Sequence, residues 1–366
     1  MGITGLHHIT LVSANAQRTV DFYTQVLGLR LVKQTVNFDD PGTYHLYFGD
    51  KTGQPGTAVT YFEWSHAPQG YPGIGGTHHY ALNVADYDGL LKWKRRLTDL
   101  GLKADGPLDR HYFTSIYFRD PDGVIIEIAT SGPGFTADEP VETLGSQHRN
   151  PPAQMIVDNR DEARIQAITW PEPVAQITAD MALSHGMHHI TAIGTDIERS
   201  HNFFGELLGL QLVKRTSNFD DPTSAHWYWG VDNGRPGTLI TYFERDPRDP
   251  RYQYVKMGAG QTHHYAFSVP DEETQLAFRE KLLRAGLRVS PVMDRVYFKS
   301  IYTNDPDGHI VELATAGPGF LCDEVEPELG AHLQLPPWLE PNRRQIENQL
   351  TPLCVPAWTD PETGDG

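Results

Sequence analysis

Leu6-His7-His8-Ile9-Thr10 is a histidine doublet opening an apolar strand. It returns as Thr77-His78-His79-Tyr80-Ala81, Met187-His188-His189-Ile190-Thr191 and Thr262-His263-His264-Tyr265-Ala266. The four doublets hold eight of the seventeen histidines. Two glutamates occupy matching places in two further apolar runs: Glu127 in Gly123-Val124-Ile125-Ile126-Glu127-Ile128 and Glu312 in Gly308-His309-Ile310-Val311-Glu312-Leu313. Four histidine strands and two glutamate strands divide into two sets of two histidines and one carboxylate.

Outward from the doublets, the chain reads as a tandem duplication. His8 and His189 stand 181 residues apart, and the same interval relates Gly28 to Gly209, Lys33 to Lys214, Asp40 to Asp221, His45 to His226 and Tyr47 to Tyr228. After a short insertion the interval becomes 185, relating His79 to His264, Arg110 to Arg295, Tyr117 to Tyr302 and Glu127 to Glu312. The expected organisation is a first repeat over 1–152, a joining segment over 153–184, a second repeat over 185–337 and a tail over 338–366.

Each repeat splits again. Residues 6–12 alternate as a strand does. Asn15 is an N-cap, Val20, Tyr23 and Leu27 share one helix face, and Gly28 ends the helix. Strands are expected at Leu29–Val36, Thr43–Phe48 and Thr57–Phe62, with Pro-Gly turns between them. A second unit follows, with a strand at Thr77–Val84, a helix at Asp86–Leu100, and strands at Arg110–Phe118 and Gly123–Ile128. The fold class is therefore α+β, with four tandem βαβββ modules. Asp120-Pro121-Asp122-Gly123 and Asp305-Pro306-Asp307-Gly308 are too short for an EF-hand and read as hairpin turns. The acidic stretches Asn37–Asp40 and Asn218–Asp221 read as loops. The joining segment is polar and proline-bearing, with one short helix. In the tail, Pro336-Pro337-Trp338-Leu339 is expected to be pinned on the body and Thr359–Gly366 to fray.

The chain has 366 residues and a formal net charge of −17, which argues against nucleic acid and acidic membranes as partners. Cys322 and Cys354 are the two cysteines, too few for a disulfide framework or a thiolate zinc site. Met1-Gly2-Ile3-Thr4-Gly5 does not open a signal peptide, and no apolar run approaches 18 residues. The expected location is the cytoplasm, and the sequence leaves a homo-oligomer open.

A lone histidine on an apolar strand is ordinarily a hydrogen-bonded core residue. Four aligned copies with two aligned glutamates reverse that reading, because a carboxylate between Ile126 and Ile128, or between Val311 and Leu313, is costly to bury without a partner. Two imidazoles and one carboxylate are the donor set of the facial triad that holds non-haem Fe(II) and leaves positions open. Successive strand residues point to opposite faces, so the first histidine of each doublet is expected to face away from its neighbour's metal. Thr10, two residues past His8, shares that ligand's face.

The pattern resembles the vicinal oxygen chelate superfamily, and within it the hydroquinone ring-cleaving dioxygenases of the 2,6-dichlorohydroquinone 1,2-dioxygenase kind. The motifs that carry the resemblance are Leu6-His7-His8-Ile9-Thr10, the run Leu29–Asp40, Tyr44-His45-Leu46-Tyr47-Phe48-Gly49, Thr262-His263-His264, Asp294-Arg295-Val296-Tyr297-Phe298 and Gly317-Pro318-Gly319-Phe320. The resemblance implies that the modules close into two curved-sheet cups. It also implies metal ligation by His8, His264 and Glu312, with His7, His263, Arg295 and Tyr302 around the substrate.

This chain adds His79, Glu127 and His189, which make either a second centre or a relic of the duplication. If module 1 closes on module 4, the trios are His8/His264/Glu312 and His189/His79/Glu127. If neighbours close instead, they are His8/His79/Glu127 and His189/His264/Glu312. The resemblance favours the first pairing. It further implies Fe(II) as cofactor, with Mn(II) or Zn(II) left open by ligand type, and a small aromatic diol and O2 as substrates. One rival is a glyoxalase-type lyase or isomerase, although such sites usually carry more than one carboxylate. The other is a non-catalytic aromatic-binding protein.

Overall fold

The computed structural model describes residues 2–363, so Met1 and Gly364–Gly366, including the last part of the expected frayed end, lie outside the described residues. Module 1 comprises β1 (Gly5–Ser13), α1 (Ala16–Asp21), β2 (Arg30–Asn37), β3 (Asp40–Gly49) and β4 (Ala58–Glu63). Module 2 comprises β5 (Thr77–Val84), α2 (Tyr87–Asp99), β6 (Asp105–Asp109), β7 (Thr114–Arg119) and β8 (Ile125–Thr130). The joining segment carries α3 (Glu162–Ala167). Module 3 comprises β9 (Met187–Gly194), α4 (Ile197–His201), β10 (Gln211–Ser217), β11 (Ala225–Gly230) and β12 (Leu239–Glu244). Module 4 comprises β13 (Thr262–Val269), α5 (Glu272–Arg284), β14 (Met293–Asp294), β15 (Lys299–Asn304) and β16 (Ile310–Thr315), and the tail carries α6 (Arg343–Gln349).

Two eight-stranded curled sheets result. One runs β14-β15-β16-β13-β1-β4-β3-β2 and the other β10-β11-β12-β9-β5-β8-β7-β6. Module 1 therefore closes on module 4 through the antiparallel pair β1–β13, and module 2 closes on module 3 through β5–β9. Of the two pairings open from sequence, the first is the one adopted.

The helices form where capping and periodicity placed them. The Asn15 side chain accepts from the Arg18 N–H, and Val20 and Tyr23 are buried. The helix widens into a π turn over Phe22–Val26 and ends at Gly28, whose φ of 71° is left-handed. Leu90, Trp93 and Leu97 do the same work for α2, and Phe278 and Leu282 for α5.

One expectation is corrected. The strand expected to open at Arg110 opens at Thr114, and Arg110 sits in the β6–β7 turn. Arg295 likewise lies between β14 and β15. The residues that follow, His111 and Val296, have φ of 68° and 69°. For a β-branched valine that is a strained conformation, of the sort tolerated where a turn aims a functional side chain.

Buried polar clamps join the cups. Tyr61 of β4 donates to Asp120 at 2.9 Å, and Tyr23 links Tyr61 to Tyr80 of β5. The second copy uses Asp305, Tyr242 and Tyr265, with His309 in place of the Tyr23 hydroxyl. Lys33 is fully buried, and its ammonium holds Asp323 and Glu324 beyond the end of module 4. Lys214 does the same with Asp138 and Glu139.

The joining segment and the tail lie against the body. Trp93 Nε1 donates to Met181 O, Lys94 donates to the Gln166 and Ile168 carbonyls, and Trp358 Nε1 donates to Gly28 O. Trp338 packs edge-on against Phe38. Glu362, within the expected frayed end, accepts from Ser184.

Candidate metal centres

Strand pairing brings each trio together. His8 on β1 is level with Ala266 on β13, and Ala266 is level with Glu312 on β16. His264 lies two residues along β13. In the other sheet Ala81 stands between His189 and Glu127 in the same way. An alanine at the middle strand leaves the space between the flanking side chains open.

Six predicted ligands thus form two buried groups, His8/His264/Glu312 and His79/Glu127/His189. In the first, the His8 and His264 Nε2 atoms lie 3.2 Å apart, and they lie 3.2 and 3.0 Å from Glu312 Oε2. In the second the edges are 3.0 Å between the nitrogens of His79 and His189, and 2.9 and 3.3 Å from these to Glu127 Oε2. Donors about 2.1 Å from one ion, at right angles to each other, stand about 3.0 Å apart. The two triangles have that size.

The doublets explain how the rings are held. The ladder skips His7 between Leu6 and His8, and skips His263 between Thr10 and Leu11 on the partner strand. It skips His78 and His188 in the other sheet. Each first histidine is therefore a β-bulge, which re-aims its side chain beside its neighbour's instead of behind it. The Nδ1–Nδ1 distances are 2.8 Å for His7/His8, His78/His79 and His263/His264, and 3.0 Å for His188/His189. The expectation that the first histidine faces away from the centre is corrected accordingly.

This contact decides which nitrogen of a ligand is bare. Burial, then the neighbouring His8, pushes His7 down to about 3, so it is neutral, and its ring is also hydrogen-bonded to the Thr315 backbone. A neutral ring that donates to that carbonyl through Nε2 accepts at Nδ1. His8 must then donate from Nδ1, which leaves its Nε2 lone pair facing the centre. His188 repeats this with the Thr130 backbone. Burial likewise pushes His264 and His79 down. Burial would raise Glu312 and Glu127, but positive charge at the adjoining His8/His264 and His189/His79 positions holds them well below the carboxylate range, and a cation bound between the bare nitrogens would supply that charge. Ser300 and Ser115 donate to one carboxylate oxygen of each, whereas Glu312 Oε2 and Glu127 Oε2 are buried without a hydrogen bond. Lone-pair atoms crowded around one point, with an ionised oxygen left unsatisfied, fit a divalent cation.

Further residues surround each centre. Tyr302 is level with Glu312, and Arg295 Nε lies 3.1 Å from the Tyr302 hydroxyl. Tyr117 and Arg110 reproduce this at 3.2 Å. Burial pushes Tyr302 up, with Glu312 adding to the effect, so the phenol stays protonated. Thr10 Oγ1 lies 3.0 Å from His264 Nε2 and 2.7 Å from Thr60 Oγ1. Arg295, Tyr302 and His263 line the cavity beside the first trio, but His7 does not. Asp39 and Asp220, from loops read as merely structural, pair with Arg295 and Arg110 at the mouths.

His45 and His226 were missed from sequence. Each lines its cavity with Nε2 on a threonine, Thr60 or Thr241, at 2.9 Å and Nδ1 on a tyrosine, Tyr47 or Tyr228. Their recurrence at the interval of 181 was the available signal.

Residues 5–128 and 186–313 match the sequence model of the Glyoxalase/Bleomycin resistance protein/Dioxygenase superfamily. The chain is 34% identical over 353 residues to the provisionally assigned ring-cleaving dioxygenase MhqO of Bacillus subtilis, covering 96% of this chain and 97% of that protein. It is 29% identical to the chlorohydroquinone/hydroquinone 1,2-dioxygenase of Sphingobium indicum, covering 92% and 93%. A solved structure of a provisionally assigned Bacillus subtilis dioxygenase superposes with a TM-score of 0.76 at 31% identity, covering 97% of this chain and 99% of that one.

Proposed function

The chain belongs to the glyoxalase/bleomycin resistance protein/dioxygenase superfamily, and we propose that it is an Fe(II)-dependent, extradiol-type dioxygenase that opens a hydroquinone or related dihydroxyaromatic ring with O2. The observation that carries this reading is the trio of bare donors, one carboxylate per trio, beside a cavity lined by a guanidinium and a phenol. His8, His264 and Glu312 would hold one ion and His79, His189 and Glu127 another. Ferrous iron bound there supplies the redox chemistry that dioxygen requires.

The chain's own residues do the rest. Arg295 and Tyr302 receive the diol: the guanidinium stabilises a phenolate oxygen, and the protonated Tyr302 donates a hydrogen bond to it. His263 has Nδ1 occupied in accepting from His264, so its other nitrogen carries the ring proton and would donate a hydrogen bond to a diol oxygen at the cavity wall. His7 acts through His8, as a positioning residue. Phe62 and Phe298 line the cavity and present apolar faces to the ring. The protein is read as cytoplasmic. No helix among the described residues is long and apolar enough to cross a membrane.

Oxygen uptake by anaerobically Fe(II)-loaded protein, offered methylhydroquinone, chlorohydroquinone and catechol against metal-free protein, tests the proposal. Uptake matched one-to-one by a ring-opened product supports it. Full iron occupancy with no uptake for any diol overturns it and returns attention to hemithioacetals with Zn(II) or Ni(II).

A further inference from the structure

The two centres share their donors and their Arg–Tyr pairs, but they do not share a cavity. The His8 centre opens into about 300 Å³ and the His79 centre into about 740 Å³. Small-molecule sites span roughly 300 to 1,000 Å³, so the first is at the bottom of the range.

The difference has a structural origin. In the larger cavity, Leu102 and Leu108, from the stretch after α2, join Ile125 in an apolar wall. Of their counterparts 185 residues on, Ile310 reaches the smaller cavity, but Leu287 and Met293 do not. The larger cavity also has a roof. Arg160 and Gln166 of the joining segment line it, whereas no described residue of the tail lines the other. That roof is fastened: Gln166 Nε2 donates to Ala104 O at 2.8 Å, its Oε1 accepts from Gly106 N at 3.3 Å, and Arg160 pairs with Asp220 at 2.6 Å. The result is an arm that leads from the trio between an apolar wall and a polar rim.

We propose that the His79/Glu127/His189 centre is a second substrate site, which takes a dihydroxyaromatic ring bearing an extended alkyl or aryl substituent, while the His8/His264/Glu312 centre takes small rings. The inference rests on reading both trios as metal centres for a diol. The ring meets Arg110 and Tyr117 as it meets Arg295 and Tyr302 in the other cup. The substituent lies along Leu102, Leu108 and Ile125 beneath Gln166. Each methylene buried in the arm tightens binding by about fourfold.

The test isolates one centre at a time in the full chain, with His8→Ala leaving the second centre intact and His79→Ala leaving the first. Each Fe(II)-loaded variant is titrated calorimetrically, without oxygen, with methylhydroquinone, pentylhydroquinone and phenylhydroquinone. The expected result is that His8→Ala binds the pentyl and phenyl compounds at least tenfold more tightly than the methyl compound, and His79→Ala does not. Leu102→Trp in the His8→Ala background erases that preference at unchanged iron content, and the milder Leu102→Phe weakens it. Equal preference in both variants, or an iron-replete His8→Ala that binds no diol, overturns the inference. Since binding is read without oxygen, a chain that shows the preference but consumes no O2 with any diol contradicts the dioxygenase reading alone.

Discussion

His263 Nδ1 lies 2.8 Å from His264 Nδ1, although the two are successive residues of one strand. Strand alternation forbids this, and the β-bulge at His263 permits it. Each doublet thus pairs one candidate ligand with the residue that would set its tautomer.

Replacing the first histidine should therefore weaken a centre without removing a donor. His263→Ala is expected to lower Fe(II) affinity at the first centre by about 10- to 100-fold, the usual loss for an outer partner. His263→Asn, which keeps an acceptor, restores part of it. Chelator competition on the His79→Ala background measures both.

In the proposed site Tyr302 would donate to the substrate and would not bind the metal. On the same background, Tyr302→Phe is expected to reduce kcat/KM for diol-dependent oxygen uptake by about 100-fold, the scale for losing one donor to a developing charge. Iron content, measured alongside, stays unchanged.

Lys33 is a structural cation. Lys33→Met leaves Asp323 and the nearly buried Glu324 without their ammonium, so a loss of about 3–5 kcal/mol is expected in urea unfolding. Replacing all three by Met, Asn and Gln together should recover most of it.

Burial raises Asp120 to about 6, against opposing hydrogen bonds from the Val124 backbone and Tyr61. A carboxyl raised in the folded state adds stability that is fully present below its unfolded pKa near 4 and is lost as pH rises through 6. Roughly 3 kcal/mol follows from about two pK units. Asp120→Asn should therefore unfold with less loss of stability between pH 4 and pH 7 than the wild type, as denaturant midpoints at the two pH values will show.

Much of this was legible before the structure. The doublets and glutamates stood out because duplication printed each of them twice, and the four modules followed from caps such as Asn15 and stops such as Gly28. What alternation could not supply was the bulge, which depends on the register against a distant strand. Arg110 and Arg295 were misplaced onto strands because the left-handed turn at His111 and Val296 has no glycine to announce it. His45 was read only as a repeated position and given no role, since its Thr60 partner is brought to it by β-sheet pairing. The roof over the larger cavity lies in a segment that composition alone marks as linker, and its role arises from tertiary contact.

Ring opening with ¹⁸O2 tests the central claim most directly. Mass spectrometry of the product formed from methylhydroquinone by Fe(II)-loaded protein, trapped with borohydride as it forms so that no carbonyl oxygen exchanges with water, is expected to show both labelled oxygen atoms in one ring-opened molecule. A product with one labelled atom or none, or a quinone with its ring intact, would contradict it.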